Sequence, residues 1–311
     1  MRTVPMGTTG LTVPVQGFGC MRLAARSAHD SGGRSDPEAV IHRALDLGAT
    51  FLDTADMYGK GANEELVGRA LRHRRDDAVL CTKFGVVRGT GDEWSLRGDA
   101  AYVRVACEAS LRRLGTDFID LYYLHQPDPA VPVEESVGAM AELVTAGKVR
   151  HLGLSNVTGE ELRAAHAVHP IAAVQSEWSL CGRRIEEMVP VAAELGVGVV
   201  PYCPHGAGLL SGDADTARKR LAEAAPGYEE LPGRLRALAR RRGVRPGQVA
   251  LAWVQHRADV WGVAVSPIPG TTRVSHLEEN IAAADLRLDG EELALLDVGP
   301  AHAGWTAEGN S

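Results

Sequence analysis

The chain has 311 residues and a mass of 33.1 kDa, long enough for two small domains or for one α/β barrel of about 250 residues, and its 45% hydrophobic content supports a large core. A formal charge of −7 and a pI near 5.9 argue against a nucleic-acid or anionic-membrane surface. No run approaches the roughly 18 apolar residues that span a bilayer. Cysteines 20, 81, 107, 181 and 203 form no Cys-x-x-Cys pair and no metal-ligand spacing, and the first residues lack the apolar stretch of a secretory signal. These features predict reduced thiols, no metal and a cytoplasmic location.

In chain order, Thr3 to Val4 and Thr12 to Val15, joined through Gly7 to Gly10, read as a hairpin within residues 1–16 that plugs the N-terminal end of a barrel. A first barrel strand follows near Val15 to Gly19. Asp36-Pro37 reads as an N-cap with proline at the first helical position, opening a helix that closes near Leu47-Gly48. Strands then alternate with helices: strand Thr50 to Asp53, helix Asn63 to Leu71, strand Val79 to Lys83, helix Ala100 to Leu114, strand Ile119 to His125. Val133, Val137, Met140 and Val144 recur at helical spacing until Gly147, and a strand spans Val149 to Ser155. Thr158-Gly-Glu-Glu161 is a capping box for a helix ending before Pro170. Strands at Ala172 to Gln175, Gly198 to Cys203 and Val263 to Ile268 are separated by helices at Arg183 to Leu195 and Pro246 to Gln255. Residues 211–232 read as a loop, followed by an extra helix to about Arg242. Asp289 caps a last helix to Leu296, and residues 299–311 read as a loose tail. The alternation predicts a single (β/α)8 TIM barrel over residues 1–311, with no linker or second domain.

In a parallel barrel all strands end on one face, so Asp53, Lys83 and His125 should converge there, with Tyr58 in the adjoining loop. An acid, an amine, an imidazole and a phenol at that face suggest proton-transfer machinery. Taken singly, each also fits a buried Asp–Lys pair with rim aromatics. Gly17-Phe-Gly19 and Gly196-Val-Gly198 begin like dinucleotide fingerprints, but neither completes Gly-x-Gly-x-x-Gly before a helix. The late loops 203–208 and 269–273 carry glycines and backbone N–H groups that suit phosphate.

Seven strings in this order carry a family likeness. They are Phe51-Leu-Asp-Thr-Ala-Asp-Met-Tyr58-Gly, Thr82-Lys83-Phe-Gly, Asp120-Leu-Tyr-Tyr-Leu-His125, Gly147 to Asn156, Gln175-Ser-Glu-Trp, Pro201-Tyr-Cys-Pro-His-Gly and Ile268 to Asn280. Together they resemble the aldo-keto reductase superfamily over nearly the whole chain. The resemblance implies a barrel that binds NADP(H) extended, without a Rossmann fold, and an NADPH-dependent reduction of an aldehyde or ketone. It makes Tyr58 the general acid, with Lys83 and Asp53 tuning it and His125 positioning the carbonyl. A phenol near pKa 10 is a poor acid at neutral pH, and a neighbouring ammonium favours its phenolate.

By family position, Tyr202 stacks on the nicotinamide, and Ser155, Asn156 and Gln175 bind its carboxamide. Cys20, Met21 and Asp53 lie alongside, and Cys203, Pro204, His205, Gly206 and Gly270 belong to the phosphate-holding loops. Thr272, Arg273 and His276 fall near the adenosine 2′-phosphate, and Glu279 and Asn280 near adenine. Plainer roles remain open for Tyr202 as core and for Glu279-Asn280 as a solvated helix face. His205, Ala207 and Cys203 depart from the usual residues of their loop, and Trp178 stands where tyrosine is frequent. Two other functions share these features. One is a redox-sensing regulatory subunit, since potassium-channel β subunits resemble this family; the retained His125 argues for catalysis. The other is a sugar-phosphate isomerase or aldolase, which would not need the Ser155, Asn156, Gln175 and Tyr202 set. The pocket loops, 22–36, 86–99 and 211–232, together with the tail, carry no substrate signature, and no oligomeric state is specified.

Overall fold

Short apolar runs, each followed by a helix, pair edge to edge because their backbones have no other way to satisfy N–H and C=O groups once buried. The computed structural model describes residues 1–24, 35–89, 93–210 and 228–297. An N-terminal hairpin pairs β1 (Thr3–Pro5) with β2 (Thr12–Pro14). Seven parallel strands form the main sheet: β3 (Phe18–Gly19), β4 (Phe51–Asp53), β5 (Val79–Phe84), β8 (Ile119–Leu124), β9 (Val149–Ser155), β10 (Ile171–Glu177) and β11 (Gly198–Tyr202). Between β5 and β8 a small antiparallel hairpin joins β6 (Val86–Arg88) to β7 (Trp94–Leu96), within what the sequence suggested was plain loop.

Residues 264–269 close the barrel. Val199 N–H donates to Ala264 O at 2.8 Å, and the N–H groups of Ser266 and Ile268 donate to Val199 and Pro201 oxygens at 3.0 Å. On the other side Gly17 and Gly19 donate to Pro267 O at 2.9 Å and Pro269 O at 3.4 Å. The two prolines have no N–H to return, so this eighth position is bonded to both neighbours without being a regular strand.

Among the described residues the helices are α1 (Pro37–Asp46), α2 (Ala62–Leu71), α3 (Ala100–Leu114), α4 (Val133–Thr145), α5 (Gly159–Val168), α6 (Val189–Leu195), α7 (Leu231–Arg242), α8 (Pro246–Trp261), α9 (Val274–Ala282) and α10 (Gly290–Leu296). Both expected capping boxes form, at Thr158 with Glu161 and at Asp289 with Glu292. Asp36 precedes Pro37 as expected, but its side chain makes no capping bond. The expected helix from Arg183 to Leu195 is split into a 3-10 turn, Arg184–Glu187, and α6, because Pro190 can sit only in a first turn. Helix α8 runs about 1.7 turns beyond Gln255, to Trp261. The expected tail at 299–311, and most of the loop 211–232, lie outside the described residues. No described helix is long and apolar enough to cross a membrane.

Side-chain alternation sorts the core into two layers. Outward residues such as Leu52, Leu80, Phe84, Tyr122 and Leu154 pack under the helices. Inward residues Phe51, Cys81, Leu121, Tyr123, Ala173 and Val200 fill the barrel, joined from below by Met6, Leu11 and Val13 of the hairpin. Gly198 leaves room for that plug, since a Cβ there would meet Met6 Sδ at 2.9 Å. The same period of two carries the next inward side chains, Asp53, Lys83, His125, Gln175 and Tyr202, to the C-terminal mouth.

Candidate active site

The inward positions that close the top of the barrel are polar where the layers below are apolar. Lys83 is fully buried and Asp53 is 2% exposed. Lys83 Nζ spends its three hydrogens on Asp53 Oδ1 at 2.5 Å, Thr54 O at 2.9 Å and Tyr58 OH at 3.3 Å. The other carboxylate oxygen, Asp53 Oδ2, accepts from Gln175 Nε2 at 2.8 Å. A buried ion pair is costly unless its remaining valences are met, and here they are. Burial by itself depresses the Lys83 ammonium, but Asp53 and then Tyr58 outweigh it, so its pKa lies above the ordinary lysine value.

Tyr58 begins a 3-10 turn, Tyr58–Gly61, that leads straight into α2. Gly59, Lys60 and Gly61 all take positive φ, at 57°, 53° and 93°, which swings the chain back over the barrel mouth. For Lys60 this conformation is strained, and its Nζ is anchored on Gly89 O at 2.9 Å. Burial raises the Tyr58 phenol and the Lys83 charge opposes that rise without reversing it. The sequence-based expectation of a lowered phenol is therefore met only in the direction of the Lys83 contribution. The His125 ring meets Tyr58 edge to face, with centroids 5.9 Å apart and planes at 86°. Burial, and next the Lys83 charge, hold His125 well below the ordinary imidazole value, so it is neutral at physiological pH.

The predicted carboxamide set gathers beside this group. Ser155 ends β9 with a buried Oγ that has no hydrogen-bond partner among the described residues. Asn156, in the left-handed region at φ 56°, donates from Nδ2 to His125 O at 3.3 Å and accepts from Tyr202 OH at 3.0 Å. Gln175, read from sequence as a cofactor contact, has its amide nitrogen committed to Asp53 and so helps to fix the ion pair as well. Beyond Tyr202 the chain turns sharply at Cys203, φ 48°, through Pro204 and half-buried His205 to Gly206, φ 54°. Burial pushes His205 down to about 4 there and, on the opposite side of the mouth, raises the Cys20 thiol, so these two positions present neither a charged imidazole nor a thiolate.

Across the mouth, Gly270 lies against the β3 turn; a Cβ on it would meet Gly19 O at 2.8 Å. Cys20 is buried and Met21 exposed on that turn. Thr272 and Arg273 are half-buried just before α9, with Arg273 N–H donating to Thr271 Oγ1 at 3.2 Å. His276 is exposed on the first turns of α9. Glu279 sits 3.4 Å from Arg245, and Asn280 is 8% exposed with its carbonyl accepting from Gln16 at 2.8 Å. Two carboxylates near the mouth escaped the sequence reading: half-buried Asp56, pushed up to about 7 by burial and then by Glu64, and the fully buried Glu64 itself. Their only sequence signal was acidic residues at and just before the inward side of a helix start. Among the described residues no group of three or more side chains could hold a metal ion.

A family model described as Aldo/keto reductase family matches residues 17–298. The chain belongs to the aldo/keto reductase family. Solved structures agree over almost its full length. An aldo-keto reductase from Bacillus halodurans, in its holo form, is 30% identical with a TM-score of 0.77, covering 95% of each chain. One from Klebsiella pneumoniae, in complex with NADP and acetate, is 32% identical with a TM-score of 0.76, covering 95% of this chain and 94% of that one. The glycerol dehydrogenase of Gluconobacter oxydans is 27% identical with a TM-score of 0.80, covering 95% and 94%. Family membership makes this chain an oxidoreductase that uses a nicotinamide cofactor.

Proposed function

We propose that this aldo/keto reductase reduces a small aldehyde or ketone to the alcohol with NADPH, using Tyr58 as general acid. The observation that carries the reading is the chain Asp53–Lys83–Tyr58, with contacts of 2.5 and 3.3 Å, at the open end of the barrel. The residues present fit a nicotinamide cofactor: the orphaned, buried Ser155 Oγ wants a polar partner, and Asn156 and Cys203 hold strained backbones beside it. Ser155, Asn156 and Tyr202 would hold the nicotinamide end, and the 203–206 and 270–273 turns with Arg273 the phosphates.

NADPH, when bound, supplies the hydride. Tyr58 gives its phenolic proton to the oxygen that gains charge as the carbonyl is reduced. Lys83 stabilises the phenolate left behind, and Asp53 with Gln175 keeps Lys83 charged and aimed. General-acid help of this kind is worth on the order of 10²- to 10⁴-fold in rate. Neutral His125 acts as a hydrogen-bond donor that narrows the angle of the carbonyl, not as a cationic acid. Run backwards, the same groups oxidise an alcohol, the direction suggested by the name of the Gluconobacter oxydans neighbour.

Purified protein should quench NADPH fluorescence and then consume NADPH, followed by absorbance, with at least one member of a panel of aldehydes, ketones and sugars. Tight NADPH binding with no turnover across such a panel would favour a regulatory subunit instead.

A further inference from the structure

Behind the site, the first turn of α2 carries two polar residues that are wholly buried, Asn63 and Glu64. Asn63 accepts from Thr54 Oγ1 at 2.6 Å and donates to Cys20 O at 2.8 Å. Glu64 accepts from Thr82 Oγ1 at 2.6 Å through one oxygen and from Arg113 Nε at 2.6 Å through the other. These bonds reach the ends of three neighbouring strands, β3, β4 and β5. Thr82 immediately precedes Lys83 on β5, so its outward side chain and the inward Lys83 share one short piece of backbone. Arg113, held by Glu64, lies under the Tyr58 turn, where a Cβ on Gly61 would meet its Cδ at 2.6 Å.

A buried carboxylate is a poor choice for stability alone, because apolar replacements of similar volume often hold a helix as well or better. Directional bonds earn their place by fixing position. We propose that Glu64 is a positioning residue for proton transfer, setting the Lys83–Tyr58 separation by tying the backbone of β5 on one side and the floor of the Tyr58 turn on the other. The proposal rests on the reading of Tyr58 as the acid. Displacements of about 1 Å at reacting groups cost up to about 100-fold in rate, so the effect belongs in turnover and not in binding.

The test uses the full-length protein with NADPH and its best carbonyl substrate. Thr82→Val removes the hydroxyl bond to Glu64 with little change of volume, Thr82→Ser restores it, and Glu64→Gln keeps an acceptor for Thr82 while losing the charge opposite Arg113. Thr82→Val should lower kcat about 10- to 100-fold while the NADPH Kd, from fluorescence quenching, stays within about twofold, and Thr82→Ser should recover most of the turnover. Glu64→Gln should fall between Thr82→Val and wild type; if it does not fold, the Thr82 pair decides. Wild-type turnover in Thr82→Val, or a parallel loss of kcat and NADPH affinity, would overturn the positioning role. Tyr58→Phe separates the two levels: if it keeps full activity, the acid assignment falls and this proposal with it. If Tyr58→Phe is inactive while Thr82→Val is not, positioning alone falls.

Discussion

Asp56→Asn should stabilise the protein, and by more at high pH than at low. Asp56 sits two residues before Tyr58, its N–H donates to Lys83 O at 3.1 Å, and its Oδ1 is buried with no hydrogen-bond partner among the described residues. Burial and then the Glu64 carboxylate push its acid up to about 7 from an ordinary 3.8; Arg113, the Met57 N–H and Lys83 pull only partly the other way. Tyr102 and Tyr122 also face it, and neither supplies a charge at neutral pH. Each pH unit between those two values costs the charged form about 1.4 kcal/mol, so full ionisation costs at most roughly 4 kcal/mol. The sign follows from the folded pKa lying above the unfolded one: the folded state binds the proton more tightly. Wild type therefore loses stability from this group as pH rises from about 4 to about 7. Asn carries no titrating proton, so its advantage over wild type should grow by about 2–3 kcal/mol between about pH 5 and about pH 8. Urea unfolding of both proteins at several pH values measures it. A stability difference that does not change with pH would refute the reasoning.

Lys83→Met should cost turnover nearly as much as loss of the phenol, because an unassisted, half-buried Tyr58 stays too weak an acid; steady-state assay at saturating NADPH checks it, and retained activity removes Lys83 from the chemistry. His125→Asn should lower kcat more for bulky ketones than for small aldehydes, since one hydrogen bond survives but the imidazole shape does not; equal losses would deny a positioning role. Because burial and Lys83 keep His125 neutral, wild-type kcat should show no inflection from it near the ordinary imidazole value, which a pH–rate profile will test. Arg273→Ala should weaken NADPH binding by about 10- to 100-fold and leave NADH nearly unchanged, with the NADPH effect shrinking in high salt; equal losses by fluorescence quenching would take Arg273 away from the 2′-phosphate.

Local signals explain what the sequence disclosed. Thr158 with Glu161 and Asp289 with Glu292 are four-residue devices, and both formed as read. Asp53, Lys83 and His125 were legible because strand ends in a parallel barrel share a face, so their convergence needed no long-range information. What escaped was non-local or broke the periodic patterns. Strands β6 and β7 are three residues each, too short for a period of two to stand out from the surrounding loop. The closing segment bonds like a strand, yet Pro267 and Pro269 erase half of one ladder. Gln175 was read as a cofactor contact, and its bond to Asp53 spans 122 positions. Glu64 looked like an ordinary acidic residue in a helix's first turn, where such residues favour the dipole. Only the packing of α2 against β5 and α3 shows it to be wholly buried and twice bonded.

The most direct test of Tyr58 as the acid is single-turnover reduction by Tyr58→Phe, followed by stopped-flow absorbance with NADPH already bound. The phenylalanine ring keeps the shape and the contact with His125 and removes only the phenolic hydroxyl. Hydride transfer should slow by about 10²- to 10⁴-fold while the NADPH Kd is unchanged. Hydride transfer at the wild-type rate in that variant would contradict the assignment.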